Sequence, residues 1–363
     1  MTVASTDSRT DRPVPVWLKA IVQSRAVWPV LALVLILIVA GSVSPNFFEI
    51  RIVEGRLFGN LIDILYRAVP TALVALGMAV VIGTRGIDLS VGSIIAIVGA
   101  VIVWRIKMGD PHITILFSAL AAGILCGMWN GFLVSALRIQ PIIATLILMV
   151  AGRGIAQLIT EGVILTFNDQ GLIFVGSGIL FGVPMPVVLW VLIALAVGLA
   201  VRSSALGMLI EAVGINRRAA YLSGVGTAGL LLAVYALSGF CAAIAGTIAA
   251  ADIRGADANN AGLWLELDAI LAVVIGGNSL LGGRFSIVGS LVGAMIIQSI
   301  NTGILLSGYP PEFNLVIKAV IIVAILVLQS PTSRAFLAFA WRRRSSASQE
   351  AAGRQPAPER QAS

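Results

Sequence analysis

The sequence predicts an all-α, polytopic membrane protein with about ten transmembrane helices, some of them broken, and a cytoplasmic coupling helix. Three observations carry that reading. Of 363 residues, 58% are hydrophobic and 11% charged, against about 25% charged in soluble domains. Apolar runs of about 17–25 residues, the length that crosses a bilayer as a helix, recur from residue 27 to residue 329. The alternating segments of about ten residues that mark a membrane β-barrel are missing from the pattern.

Taken in order, residues 1–26 are polar and basic (Arg9, Arg12, Lys19, Arg25) and read as a cytoplasmic N-terminal arm. The run 27–43 ends in small residues like a signal peptide, but the many later spans make it an uncleaved first helix. Further spans are placed near 67–83, 90–106, 112–137, 141–160, 184–201, 228–250, 263–279, 284–306 and 313–330. Residues 27–330 thus form the transmembrane domain. Residues 331–363 carry Arg342, Arg343 and Arg344 and then a Ser/Ala/Gln/Pro-rich stretch, which reads as a disordered basic cytoplasmic tail.

The net charge of +7 follows the positive-inside rule and is no nucleic-acid footprint. Basic termini on one side require an even number of crossings. Six of them separate the N-terminus from the loop 202–227, with Arg202, Arg217 and Arg218, so that loop is also cytoplasmic. Loops 44–66, 161–183, 251–262 and 307–312 then fall on the far side with most of the acidic residues. Cys126 and Cys241 lie in apolar runs without metal-ligand spacing and read as inert core thiols. His112, the single histidine, sits in a short loop and is given no role.

Two glycine-rich stretches interrupt the apolar pattern. Residues 83–92 read GTRGIDLSVG, and the apolar run from Val91 covers only about 14 residues, roughly 21 Å against a hydrocarbon core of about 30 Å. The break at Gly83 and Gly86 therefore belongs below the membrane surface, where irregular backbone survives only inside protein or beside water. Asp88 or Ser90 can cap the next helix, and Arg85 can neutralise Asp88 or reach water. The second break, with Gly276, Gly277, Gly282 and Gly283, follows the same five residues, AVVIG, that precede the first, and VGS follows both. Two readings stand side by side: capped hairpins, or discontinuous helices lining a translocation path.

Residues 211–225 read EAVGINRRAAYLSGV. Asn216 is a good N-cap, residues 217–223 a plausible two-turn helix and Gly224 its stop. The result is a rigid knob with a small face (Ala219, Ala220) and two cations (Arg217, Arg218).

GTRGIDLSVGSIIAI, EAVGINRRAAYLSGV and VIGGNSLLGGRFSIVGSLVGA together resemble the ribose/galactose-type monosaccharide permeases, the membrane subunits of bacterial ABC importers. The stretches ADIRGADANNAGLWLELDAILAVVIGG, IQPIIATLILMVAGRGIAQLIT and INTGILLSGYPPEFN resemble, within that family, the permeases of galactofuranose importers. Position 85 departs from the resemblance, with Arg where the family usually has a small residue. The resemblance implies a translocation path in this chain, most closely for galactofuranose, and residence in the bacterial inner membrane with both termini cytoplasmic. It also implies three kinds of partner: an ATPase of fused domains, a second permease chain (related or identical) and a periplasmic sugar-binding protein. It makes 211–225 the coupling segment that docks into the ATPase, which puts Glu211, Gly214, Asn216, Arg217, Arg218, Ala219, Ala220 and Gly224 at that contact.

The chain has no G-x-x-x-x-G-K-[ST] loop, so ATP and Mg are expected on a separate subunit and no cofactor in this one. No nucleophile–base set or metal-ligand cluster suggests an enzyme. Candidates for the path or gate are Asp88, Ser90, Asn130, Arg153, Gln157, Glu266, Asp268, Gln298 and Asn301, polar residues in or beside spans; helix–helix hydrogen bonding is the alternative role for each. Arg153 needs a partner, for which Asp88, Glu266 and Asp268 are the candidates. Trp129, beside Asn130, can stack on a sugar, whereas Trp104 and Trp264 suit interfacial belts. Residues 252–268 read as an outer gate. The rival reading is an ion-coupled secondary transporter, with Asp88, Glu266 and Asp268 as its only titratable relay.

Overall fold

The computed structural model describes residues 27–308, apart from 45 and 54, and seven isolated helical positions between 315 and 327. The expectations for residues 1–26 and 331–363, and for the span at 313–330 apart from those positions, lie outside the described residues. Residues 1–308 form one unit and 309–363 another.

Each of the nine expected spans up to residue 306 contains a helix: α1 (Val27–Val43), α2 (Asn60–Gly83), α3 (Val91–Lys107), α4 (His112–Ser135), α5 (Pro141–Thr160), α7 (Met185–Ser203), α10 (Thr227–Asp252), α11 (Leu265–Ile275) and α12 (Ile287–Leu306). Six of them, α2, α4, α5, α7, α10 and α12, are long and apolar enough to cross a bilayer. The expected span at 263–279 is corrected. Its helix α11 has 11 residues, about 16 Å of rise, roughly half a hydrocarbon core. Short elements unforeseen in the sequence fill the connections: the β1–β2 hairpin (Arg51–Val53, Arg56–Phe58), β3 (Leu165–Thr166), α6 (Gln170–Ser177), the β4–β5 hairpin (Ile179–Leu180, Val183–Pro184), α8 (Leu206–Ile215) and β6 (Gly255–Ala256), beside the short helix that the sequence did predict, α9 (Arg217–Leu222).

The core lies along α2, α3 and α10. Helix α10 packs on α2, α3 and α4; α12 packs on α1, α2 and α11; α5 packs on α3. Most of α2 and α3 is buried, while α4, α5 and α7 keep apolar outer faces. Glycines set the closest crossing. Gly123, Gly127 and Gly131, four apart on α4, meet α10 backbone at Gly239, Tyr235 and Leu232, leaving no room for a side chain. This small-xxx-small stripe lets the two backbones touch.

The connections gather at two ends. At one, Leu57 N–H bonds Gly182 O at 3.0 Å, β3 pairs antiparallel with β6, Tyr66 bonds both Gly176 O and Asp252, and His112 Nδ1 lies 2.8 Å from Asp169, the N-cap of α6. At the other lie both glycine-rich breaks, the α4–α5 connection and α8–α9. The described connections thus divide into the two sets that the charge pattern gave.

Between α10 and α11 the chain does not stay at the outer end. Ala256 lies against Gly99 of α3, and Gly262 against Gly92 seven residues nearer the other end. The segment therefore descends about 10 Å along α3 before α11 begins.

Substituting Gly127 by Val drives the side chain into the Tyr235 backbone and is expected to cost about 1–3 kcal/mol. Gly198→Ala on α7, where nothing lies within 4 Å, is expected to leave stability unchanged or slightly raised. Thermal unfolding of the detergent-solubilised protein reads both.

Candidate functional site

The first break closes α2 with three backbone bonds: Thr84 N–H and Gly86 N–H to Val81 O, and Arg85 N–H to Ile82 O. Arg85 has φ +69°, the left-handed conformation that glycine takes without cost. The position where the family usually has a small residue thus keeps a glycine-like backbone, with an exposed side chain added. Of the two roles expected for Arg85, it takes the second, its side chain lying exposed and not paired with Asp88. Asp88 is fully buried, and its Oδ1 accepts from Ser90 N (3.1 Å) and Ser90 Oγ (2.6 Å), its Oδ2 from Ser238 Oγ on α10 (2.8 Å). Asn130 Nδ2 on α4 donates to Ser90 Oγ at 2.8 Å. Three of the sequence candidates, Asp88, Ser90 and Asn130, are thereby joined in one buried network. Its fourth member, Ser238, gave no sequence signal, being one serine in a helix of small residues.

Of the two caps expected for α3, the Asp88 carboxylate accepts the Ser90 N–H at the helix start. Ser90 occupies the N-cap position without a side-chain cap bond. The carboxylate of Glu266 instead lies over the start of α3, 2.5 Å from where a Cβ of Gly92 would stand, where the helix dipole favours a negative charge.

The second break is held by Asn278, which the sequence reading passed over. Its Nδ2 donates to Val273 O (2.9 Å), Ser290 Oγ (2.9 Å) and Ser286 O (3.3 Å), and its Oδ1 accepts from Ser286 N–H. Ser286 caps α12 through Gly289 N–H at 3.1 Å. Gly277, Gly282 and Gly283 take positive φ, as the turn requires. The two breaks touch: Gly283 N–H donates to Gly83 O at 3.1 Å, and Gly282 lies against Arg85.

Helix α8 rests on this junction. Gly214 sits so close to Gly83 O and Gly283 N that a Cβ there would overlap both, and Ile210 packs on Gly83 beside Phe285. Asn216 caps α9, accepting from Arg218 N (3.1 Å) and Ala219 N (3.0 Å), and Gly224 ends the turn with φ +88°. The helix covers 217–222, one residue shorter than expected. Arg217 reaches the Val134 and Ser135 carbonyls at the end of α4 (3.5 and 3.4 Å); burial, then the nearby Arg138, lowers its pKa from the ordinary value. The expected small face splits, because Ala220 is buried in this chain while Ala219 is exposed with Arg218. The knob also exposes the apolar side chains of Met208, Ile215, Tyr221 and Leu222, beside exposed Asn216 and Arg217. Glu211 is half-buried and lines a groove of about 720 Å³ with residues of α7 and the start of α12.

A third group lies halfway along α5. Arg153 donates through Nη1 to Ala258 O (3.1 Å) and Ala261 O (2.7 Å), so its partners are carbonyls of the descending segment and not a carboxylate. Gln157 Nε2 donates to Asn259 Oδ1 at 2.7 Å. Arg153, Gln157 and Glu266 line one pocket of about 390 Å³ together with Ser93, Met149, Val150, Gly154, Leu263 and Trp264. Trp264 is therefore no belt residue; it stands at the inner end of the descending segment. Trp129 is turned the other way from buried Asn130, 51% exposed and packed on Phe132. Trp104 is exposed and stacks under Arg105.

The remaining candidates lie apart. Asp268 is half-buried in the first turn of α11, outside that pocket. Gln298 donates to Thr302 Oγ1 (3.2 Å) on α12, and Asn301 Oδ1 is buried without a partner among the described residues. Their helix packs on α1, α2 and α11, and the Gln298 bond stays within that helix.

Two broken helices joined at a hinge, with a polar pocket at membrane depth, are the parts of a permease. Residues 60–326 match the family described as branched-chain amino acid transport system / permease component. The chain belongs to this permease family. Its curated relatives transport sugars. The galactofuranose transporter permease protein YtfT of Escherichia coli (strain K12) is 58% identical over 84% of this chain and 90% of that one. The fructose import permease protein FruF of Bifidobacterium longum (strain NCC 2705) is 41% identical over 87% and 90%. The ribose import permease protein RbsC of E. coli (strain K12) is 38% identical over 82% and 91%. This chain is thus a permease subunit of an ABC sugar importer, a multi-pass inner-membrane protein working with ATPase and substrate-binding partners. Its relatives are transporter permeases and not enzymes, and the ion-coupled alternative finds no support among them.

Removing the Asp88 carboxyl leaves the Ser90 and Ser238 hydroxyls without their buried acceptor. Asp88→Ala is expected to lower stability by about 1–3 kcal/mol. Asp88→Asn, which keeps one acceptor oxygen, is expected to lose less, both read by thermal unfolding.

Proposed function

We propose that the permease carries galactofuranose along a path between two permease chains, driven by a fused-domain ATPase that grips the α8–α9 knob from the cytoplasm. The observation that carries the mechanism is the seat of Gly214 against both helix breaks, at Gly83 and Gly283. A force on the knob has no slack to take up before it reaches α2–α3 and α11–α12. Nucleotide and Mg are bound by the ATPase subunit. Its closure shifts α8–α9, the joined breaks move with it, and the path opens first to a periplasmic binding protein and then to the cytoplasm.

In this reading Asn216 and Gly224 fix the knob's shape, and Glu211, Arg218 and Ala219 face the ATPase with its apolar surface. Arg217 and Ala220 tie the knob back to the membrane domain. Both termini are cytoplasmic, on the side of the basic loop 202–227. A second chain, related or identical, is supported by the outer face of α5. Arg153 and Gln157 lie mid-span beside exposed Leu146, Val150 and Leu158, and a polar concavity at that depth is costly unless protein or water faces it. The path then runs past Arg153, Gln157 and Glu266. Asp88, Ser90 and Asn130 lock the break beside it, and Asp268, Gln298 and Asn301 lie away from it on α11 and α12. Galactofuranose is favoured over ribose or fructose because identity to the galactofuranose permease is highest of the three.

Reconstitution with the ATPase and binding protein tests the reading. Labelled D-galactose, whose solution equilibrium contains the furanose ring, is expected to enter vesicles only with ATP. Replacing Arg217 and Arg218 together by Glu is expected to cut sugar uptake at least about tenfold, a change of roughly 1.4 kcal/mol in the coupling contact. The doubly substituted chain should still insert in the membrane. Unchanged uptake in it would sink the coupling role.

A further inference from the structure

The pocket on α5 contains one feature that a conduit wall does not need. Trp264 has φ +64° and ψ 3°, a left-handed backbone that is a true outlier for a bulky side chain. Its ring is nonetheless 57% exposed, between half-buried Leu265 and Asp268, next to Glu266, of which only 4% is exposed. Strain of this kind persists only where the surroundings enforce it, and it concentrates at ligand clamps. Here Arg153 and Gln157 supply the enforcement. They hold the descending segment at Ala258, Asn259 and Ala261, and Gly262 is pressed against the backbone of Gly92.

Those clamping side chains keep unused valences. Arg153 spends only Nη1 on the segment, Gln157 only Nε2, and no other residue bonds the Glu266 carboxylate among the described residues. An aromatic face, a guanidinium edge, an amide oxygen and a carboxylate thus converge on about 390 Å³, within the range of about 300–1,000 Å³ that holds small molecules. A monosaccharide offers the complement: one face of C–H groups for the ring, and hydroxyls that both donate and accept. The apolar floor (Met149, Val150, Leu263) carries no further donors, so a sugar held there is released easily.

We propose that Trp264 is the stacking platform of a transient monosaccharide site inside the permease, with Arg153, Gln157 and Glu266 as its hydrogen-bonding rim. This rests on the sugar-permease reading and adds to it a place where the chain itself recognises its cargo. The left-handed backbone aims the ring, and glycine at this position would relax the backbone while deleting the platform.

The test uses the complete importer, with its ATPase and binding protein, in vesicles. Trp264→Ala is expected to lower the D-galactose moved per ATP hydrolysed about tenfold, and Trp264→Phe, which keeps an aromatic face, to lose no more than about twofold. Trp264→Gly is expected to raise the unfolding temperature of the permease while lowering uptake as Trp264→Ala does. In the detergent-solubilised permease, millimolar D-galactose should quench tryptophan fluorescence in the unsubstituted chain and not in Trp264→Phe. Transport per ATP unchanged in Trp264→Ala, a lowered unfolding temperature in Trp264→Gly, or quenching that survives in Trp264→Phe overturns the assignment. An unsubstituted importer that moves no sugar would overturn the sugar reading itself, a separate result from any of these.

Discussion

Every irregular stretch in this molecule obeys one constraint: a backbone polar group at membrane depth must find its partner inside the protein. The two breaks and the descending segment meet that demand in three ways. Asp88 gathers Ser90 and Ser238 around the first turn. Asn278 returns four bonds to the second. Arg153 and Gln157 reach from α5 to hold the segment that runs down α3. The first two solutions each use one buried polar side chain with several valences, the third a half-buried Arg153 and an exposed Gln157, and each leaves a piece of non-helical chain where a continuous helix would be simpler.

The same devices that satisfy the backbone also place the moving parts. Gly283 bonds Gly83 directly, so the two breaks share a backbone contact. Because Gly214 fills the remaining space, α8 cannot shift without both. Close glycine contacts transmit displacement well, since backbone in contact with backbone has no side-chain rotamer to absorb it. The stripe at Gly123, Gly127 and Gly131 works similarly between α4 and α10, away from the breaks. Mechanical coupling and membrane tolerance thus come from the same packing.

Length and composition made the helical membrane class legible, and the apolar runs located every described span, α1 at its own boundaries. The two glycine breaks, the capped α9 and the split of connections between two ends were readable too, because glycine, Asn caps and charge act locally. The depth of the descending segment was not readable. Residues 252–264 have the polarity of an outer loop, and only the cross-chain bonds from Arg153 and Gln157 show that polarity being spent inside the bundle. For the same reason the sequence read Trp264 as an interfacial residue and Trp129 as able to stack on a sugar, whereas in the fold Trp264 lines the pocket with Arg153 and Trp129 lies exposed against Phe132.

The sequence by itself determined that this chain spans a membrane, where it bends and which short helix carries its cations, since hydrophobicity, conformational freedom and capping are properties of neighbouring residues. Tertiary structure decided which polar groups meet: Asp88 with Ser238, Arg153 with two carbonyls, Gly214 with both breaks. Those pairings join residues from about seventy to a hundred and fifty positions apart, and no local preference encodes them. They are fixed only when helices pack closely enough to bring donor and acceptor within reach.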